Sequence, residues 1–501
     1  MTHDKVPISR LPSGVPGLDP LLGGGLPEFS FNIIAGEPGS GKTTLAHQMM
    51  FAMASPKRQA LFFTVLGEPA LKMLRYQQQY NFFDSAKLDS SIRFVNLGEE
   101  VLSGDFDRVL ARIVQEVESF DPAFVFVDSF RSVTQVAGAT GQQGELQNFV
   151  QHLGILMTSW QATTFLIGEY HLHDSEAHPV FTIADGILVM AQSITRNSMV
   201  RKIQVVKMRG QATIPGLHTF RISDDGIQVF PRTLPVSAHK RDANVPKPAN
   251  RPARSLGTPV LDEMLGGGLP AGYSLLVAGP SGSGKSLLST AFLAEGARHG
   301  EKGVVAAFEI GPGQTHNPRL EALVDGGHVG VIDTRALDLS IDETLFALTE
   351  MIKSTGATRV VIDSLSGFEL ALAPAFHEDF RESLHRMVAV LTGLGATVLM
   401  VTELEDRYGD LRFSPYGAAF LTDAIIVQRY VELQSELKRV IAVVKVRNRN
   451  HSHALRLYEI NDDGIVIGKP LPEVSPLLTG HPRLMAALAS LSGASHAASE
   501  G

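Results

Sequence analysis

The 501-residue sequence predicts an α/β protein of two tandem domains, each with a largely parallel central sheet. Three observations lead there. Short, continuous apolar runs alternate with helical patterns, as strands buried on both faces require. The length exceeds what one hydrophobic core usually serves. A set of motifs also occurs twice in one register. LGGGLP stands at 22–27 and 265–270, preceded by Asp19 and Asp262. IAGEPGSGKTTL (34–45) and VAGPSGSGKSLL (277–288) keep the same spacing of 243 positions. Coincidence does not hold a register across separate motifs, so the second domain is a copy of the first. VKMRG (206–210) and VKVRN (444–448) lie 238 apart, a few residues having been lost between, as loops allow.

In chain order, FNIIAG is a strand that ends in a glycine loop, and TTLAHQMMFAMA is helical in pattern. QALFFTVL, AFVFVDSF, ATTFLIGE and GILVMAQ continue the sheet. The second copy repeats this with SLLVAG, GVVAAFE, RVVIDSL, ATVLMVTE and AIIVQRY. Between the copies, residues 231–255 carry five prolines and six Lys/Arg without apolar periodicity, which reads as a linker. The expected boundaries are a first domain over 1–235, a linker over 236–254, a second domain over 255–468 and a C-terminal tail over 469–501. The tail ends in ASLSGASHAASEG, small and polar, and is expected to fray.

The net charge of −8 disfavours a dedicated nucleic-acid binder. The absence of cysteine removes disulfides, thiol catalysis and zinc–thiolate sites, and suits a reducing compartment. The N-terminus has no apolar segment of the signal-peptide kind, and no run of about 18 apolar residues appears. The expectation is a cytoplasmic protein without a membrane span.

The repeated loop satisfies G-x-x-x-x-G-K-[ST]. Its first copy is Gly36, Glu37, Pro38, Gly39, Ser40, Gly41, Lys42 and Thr43, followed by Thr44. The second is Gly279, Pro280, Ser281, Gly282, Ser283, Gly284, Lys285 and Ser286, followed by Leu287. Glycines let backbone N–H groups close around phosphate, and the helix that follows adds its positive end. Lys42 and Lys285 are expected to bridge the β- and γ-phosphates of ATP, with Thr43 and Ser286 on Mg²⁺. The partner on the metal should be an acid ending another apolar strand: Asp128 in AFVFVDS and Asp363 in RVVIDS. The plainer reading of each is a strand-end aspartate capping a turn.

Hydrolysis needs a carboxylate to orient or deprotonate the attacking group. Glu309 ends GVVAAFE and is well placed as that base. The first copy has Leu66 at the matching position, and Glu68 arrives two residues late, about 6–7 Å further along the chain. Glu68 is therefore the weaker candidate. Lys207 and Arg209, like Lys445 and Arg447, share one strand face and present two cations side by side. They read as an edge-strand charge pair or, more sharply, as a γ-phosphate sensor reaching a neighbouring subunit's nucleotide. HLHDSEAH (171–178) has no fixed face and reads as a loop and not a metal site.

Tandem LGGGLP, P-loop, Asp-Ser and Lys-x-Arg modules resemble KaiC, the clock ATPase family of the RecA-like superfamily, from about Leu11 to about Ile467. The resemblance implies two RecA-like P-loop domains in a hexamer of two stacked rings. It further implies ATP–Mg²⁺ at subunit interfaces, Lys-x-Arg supplied by the neighbour, and a regulatory protein partner. The clock proteins carry two adjacent glutamates after the second strand of each module; here Glu309-Ile310 and Leu66-Gly67 stand there. Their autophosphorylated Ser-Thr pair has become Ala419-Phe420, which leaves Ser414 and Thr422 as the candidate phosphosites.

The expectation is an ATP-hydrolysing regulatory switch in which the second copy turns over and the first mainly holds nucleotide. Three alternatives stay open. A Ser/Thr autokinase or protein kinase would leave phosphate on protein. A DNA-dependent RecA-type ATPase would be stimulated by DNA. A dormant ATP-binding scaffold would show no turnover.

Overall fold

The computed structural model describes residues 8–65, 70–130, 143–170, 179–195, 197–232, 251–308, 317–332, 339–404, 421–433, 436–462, 464–471, 474–475 and 483–484. The chain divides into two units, Met1–Arg232 and Thr233–Gly501.

The apolar runs of the first unit become strands of one nine-stranded sheet. They are β1 (Phe31–Gly36), β2 (Ala60–Thr64), β3 (Ile92–Asn96), β4 (Phe124–Asp128) and β5 (Thr163–Gly168), then β6 (Gly186–Thr195), β7 (Ser198–Met208), β8 (His218–Ser223) and β9 (Gly226–Phe230). The order across the sheet is β3-β2-β4-β5-β1-β6-β7-β8-β9. The strands from β3 to β6 pair in parallel, and β7, β8 and β9 add an antiparallel extension beyond β6.

The second unit repeats the plan. Its strands are β10 (Ser274–Gly279), β11 (Gly303–Ala307), β12 (Val329–Ile332), β13 (Arg359–Asp363) and β14 (Thr397–Glu403), then β15 (Ala424–Leu433), β16 (Glu436–Val446), β17 (Arg456–Asn461) and β18 (Gly464–Pro470). Their order, β12-β11-β13-β14-β10-β15-β16-β17-β18, is that of the first sheet strand for strand. The two units are thus two RecA-like α/β domains.

Alternation along each strand feeds two cores. In the first unit Ile33, Leu61, Phe63, Val125 and Val127 face one side. Ile34, Phe62, Phe126 and Phe165 face the other, against Leu45 and Met49 of helix α1 (Lys42–Met53). Phe62, Phe126 and Phe165 stack in series across neighbouring strands, with ring centroids 5.9 and 4.7 Å apart.

Helix α2 (Phe106–Phe120) buries Phe106, Val109, Ile113, Val117 and Phe120, the three- and four-residue spacing of one helix face. Asp105 caps it by accepting the N–H of Arg108, and Asp121 ends it at φ 47°. The second unit carries α3 (Lys285–Arg298) and α4 (Ile341–Thr355) in the same places, with Ser340 capping α4.

One feature of the second unit has no counterpart residues in the first. Arg359, buried at the start of β13, donates from Nε to Glu301 Oε2 at 2.5 Å and from Nη1 to the carbonyls of Ser255 and Phe292. Arg254 pairs with the other oxygen of Glu301. The chain entering this unit is thereby fastened to its sheet.

Where β6 meets β7 and where β15 meets β16, the register slips by one residue at Ile187/Leu188 and at Ile425/Ile426. Each slip leaves a bulge immediately before the Lys-x-Arg motif, a device that turns the side chains that follow. Lys207 and Lys445 lie on the strands, whereas Arg209 and Arg447 fall one residue past them.

Candidate active sites

Each central strand, β1 and β10, ends in the glycine loop that the sequence predicts. Gly39 and Gly41 have φ of 75° and 100°, and Gly282 and Gly284 have 74° and 90°. Side-chain-bearing residues are strained there. Space forbids them too: a Cβ on Gly36 would stand 2.1 Å from the Met190 carbonyl oxygen, and one on Gly41 2.8 Å from Ile222 Cδ1. At Gly284 the obstruction is Ile460 Cδ1, again at 2.8 Å. The antiparallel extension therefore backs the loop, a packing role that the sequence reading did not give to Ile222 or Ile460.

Lys42 Nζ donates to the Glu37 carbonyl at 2.8 Å, and Lys285 Nζ to the Pro280 carbonyl at 2.7 Å. Both ammonium groups fold back over their loops. Thr43 Oγ1 donates to Asp128 Oδ2 at 2.6 Å. Burial raises the Asp128 pKa above the ordinary carboxylate value; the Thr43 hydrogen bond and the Lys42 charge oppose this, while Glu169, just past β5, adds to it.

In the second unit Ser289 Oγ donates to Asp363 Oδ2 at 3.3 Å. Lys285, Ser286, Asp363 and Glu403 line one cleft of about 330 Å³. The Asp128–Ser129 and Asp363–Ser364 peptides are both cis.

These residues fit a nucleotide and a divalent cation. The loop offers backbone N–H groups, a lysine and a helix N-terminus to an anion. Ser40 Oγ is buried there without a hydrogen-bond partner among the described residues. A hydroxyl and a carboxylate from Thr43 and Asp128, or from Ser286 and Asp363, are the oxygen donors that Mg²⁺ prefers. Among the described residues no cluster of three His, Cys, Asp or Glu side chains suits another metal, and no helix is long and apolar enough to cross a membrane.

The Lys-x-Arg pairs do not join these clusters. Lys207 Nζ donates to the carbonyls of Phe181 and Thr182, and Arg209 Nη1 pairs with Asp185 Oδ1 at 3.1 Å. Lys445 Nζ donates to the Thr422 carbonyl at 2.6 Å, and Arg447 Nη1 pairs with Asp423 Oδ1 at 3.2 Å. Burial, and then the neighbouring arginine, lowers both lysines below the usual ammonium range.

The backbone N–H of Arg209 bonds to the Asp185 carbonyl, and that of Asp185 to the Phe31 carbonyl, where β1 begins. The phosphate loop begins five residues later, about 17 Å away at strand rise. Arg209 therefore lies at the opposite end of the sheet from its own loop, and Arg447, bonded in the same way through Asp423 and Ser274, does so too.

Glu68, Glu309 and Ser414 lie outside the described residues, as do Leu66-Gly67, Ile310, Ala419-Phe420 and the segment 171–178. Thr422 is described, and its side chain is wholly buried. Asp185 and Asp423 went unremarked in the sequence reading, although they keep the 238-residue spacing of the Lys-x-Arg pairs and that spacing would have found them.

A family model described as "ATPase: KaiC" matches residues 11–234 and again 255–471. The chain is 26% identical to the circadian clock protein KaiC3 of Synechocystis sp. over 497 residues, covering 95% of each chain. It is 24% identical to the circadian clock oscillator protein KaiC of Rippkaea orientalis, over 95% of this chain and 92% of that one. Against the KaiC protein of Picosynechococcus sp. the identity is again 24%, over 96% and 93%.

Proposed function

The chain belongs to the KaiC ATPase family, and on that premise we propose that it is a cytoplasmic ring protein that binds and hydrolyses ATP with Mg²⁺. Its nucleotide state switches its contacts with regulatory protein partners. The second repeat turns over, and the first mainly holds nucleotide and keeps the ring assembled.

One observation carries the ring. Arg209 and Arg447 are tethered at the sheet end opposite their own phosphate loops. A cation so placed stands away from the phosphate site of its own loop, and we read it as serving a phosphate of another copy of the chain. A head-to-tail arrangement of that kind closes into a ring when the rotation permits, and the family is consistent with six subunits. Nucleotide buried at such an interface stabilises the assembly by mass action, by about 4 kcal/mol at a thousandfold excess over Kd.

In the second repeat Lys285 would hold the β- and γ-phosphates, while Ser286 and Asp363 would hold the metal. When held there, the cation would supply charge neutralisation for the phosphate oxygens. Glu309 is assigned to orient the attacking water and accept its proton. Lys445 and Arg447 of the adjacent copy would stabilise the charge that builds on the transferring group. The first repeat lacks a carboxylate in the register of Glu309, which supports a holding role. Hydrolysis is better supported than phosphoryl transfer to Thr422, whose hydroxyl is fully buried.

The test is Glu309→Gln in the full chain. Steady-state hydrolysis is expected to fall at least tenfold while ring mass and ATP retention persist; undiminished hydrolysis would remove the assignment to the second repeat.

A further inference from the structure

Each Lys-x-Arg arginine is held by an aspartate, Asp185 or Asp423. Asp423 Oδ1 pairs with Arg447 Nη1, and Asp423 Oδ2 accepts the N–H and the hydroxyl of Ser274, both at 3.0 Å. The backbone N–H of Asp423 bonds to the Ser274 carbonyl at 3.0 Å, and its carbonyl accepts the N–H of Arg447 at 2.8 Å. Asp185 repeats the arrangement. Its Oδ1 pairs with Arg209 and its Oδ2 accepts the N–H of Phe31 at 3.0 Å. Its backbone bonds to Phe31 at 2.7 Å and to Arg209 at 2.9 Å.

One carboxylate thus joins a guanidinium to the first residue of β1 or β10, the buried strand that carries the phosphate loop at its other end. Capping the strand start would occupy one oxygen. The second oxygen goes to an arginine whose side chain stays 48% exposed at Arg447 and 59% at Arg209. An ion pair so exposed does little for stability, so its consequence is where it aims the guanidinium. The two repeats have diverged at the position of Glu309, yet both keep this clamp.

We infer that Asp185 and Asp423 are positioning residues that fix the aim of Arg209 and Arg447 at the nucleotide of the adjacent copy. The inference rests on the ring reading given above. A long side chain at the surface samples many rotamers, and the clamp registers this one against a strand buried inside the sheet. Misplacement of a transition-state contact by about 1 Å can cost on the order of a hundredfold in rate.

The experiment uses full-length chains mixed in equal amounts. Asp423→Asn keeps the shape and an acceptor for Ser274 but removes the charge that holds Arg447. Alone, it is expected to lower kcat roughly 10- to 100-fold with KM for ATP changed less than about twofold. Its own phosphate loop is intact, so mixing with Lys285→Ala, whose loop is dead but whose arginine is correctly aimed, restores activity. Random mixing gives about one quarter of the wild-type rate, since half the loops are intact and half of those face an intact donor.

Arg447→Ala mixed with Lys285→Ala is the control for the ring reading. If that control recovers and Asp423→Asn does not, Asp423 serves its own loop and the inference is overturned. If neither recovers, the arginine acts within its own chain and the ring reading falls first. Should Asp423→Asn fail to assemble, Ser274→Ala removes one of the two bonds on Oδ2 and enters the same mixture. The inference then predicts a smaller loss of kcat with full recovery, and absence of recovery overturns it.

Discussion

Thr43 Oγ1 and Asp128 Oδ2 stand 2.6 Å apart, joining the first residues of α1 to the end of β4. These two groups lie far apart in sequence and meet because parallel strands bring their C-terminal ends to one edge. Asp128→Ala is expected to abolish most of the Mg²⁺ dependence of ATP binding in the first repeat, a loss of about tenfold or more. Binding of a fluorescent ATP analogue to Lys285→Ala protein, with and without Mg²⁺, reads this repeat alone. Equal enhancement by Mg²⁺ in the variant would show that Asp128 does not support the metal.

The loop glycines make a steric prediction. At Gly41 a methyl group is strained by the φ of 100° and stands 2.8 Å from Ile222 Cδ1. Gly41→Ala should cost about 1–3 kcal/mol, within the usual range for side-chain-bearing residues held in such conformations. Ile222→Ala placed on top should relieve part of the loss. Thermal unfolding of the single and double variants separates the two contributions. Additive losses would mean that the contact with Ile222 is not the obstruction.

His47 sets a pH dependence in the first repeat only, because Thr290 occupies the matching place in the second. The ring is completely buried beside Phe62, at a centroid distance of 4.6 Å. Burial lowers its pKa from 6.5 to about 3, with Gln77 acting weakly in the other direction. The folded state favours the neutral ring, so stability is full above pH 6.5 and declines as pH falls toward 3. The slope is about 1.4 kcal/mol per pH unit. Denaturant unfolding of the first repeat between pH 7 and 4.5 measures it, and His47→Phe should flatten the profile in that window. An unchanged profile would mean that other groups set it.

Glu301 makes the corresponding prediction for the second repeat. Burial alone would raise its pKa, but the hydrogen bond and charge of Arg359, with those of Arg254, outweigh this and hold it below the usual value. Its contribution is therefore present above the ordinary glutamate pKa and lost as pH falls through the lowered one. Breaking a buried pair costs roughly 3–5 kcal/mol; Glu301 is a quarter exposed, which reduces the expected cost of Glu301→Gln to about 2 kcal/mol. Equilibrium unfolding of the second repeat measures it. No change would show that the carbonyls of Ser255 and Phe292 satisfy Arg359 on their own.

Much of the fold was legible because its signals are local. FNIIAG, AFVFVDSF and their copies are buried on both faces and so read as continuous apolar runs, and the phosphate loop between strand and helix declares itself by its glycines. The edge strands β3 (IRFVN) and β12 (VGVI) were missed, being short and in part polar or exposed. The antiparallel extension was seen only at VKMRG and VKVRN, because β8 (HTFRIS) mixes polar and apolar residues and β9 (GIQVF) is short and interrupted by Gln228.

The Lys-x-Arg cations were found by their spacing, but not the bulge that precedes them or the aspartates that hold them. A bulge leaves no residue signature here, and a strand-entry aspartate resembles any turn residue. Asp185 and Asp423 became visible once topology placed the entry to β6 beside the start of β1, and the entry to β15 beside that of β10.

The most direct test of the division between the repeats is steady-state ATP hydrolysis by wild type, Lys42→Ala and Lys285→Ala, with assembly mass recorded on the same samples. On this division Lys285→Ala abolishes turnover in an intact ring, whereas Lys42→Ala breaks the ring. Loss of turnover by Lys42→Ala in an intact ring would contradict it and make the first repeat an engine, with Glu68 the leading candidate for its base.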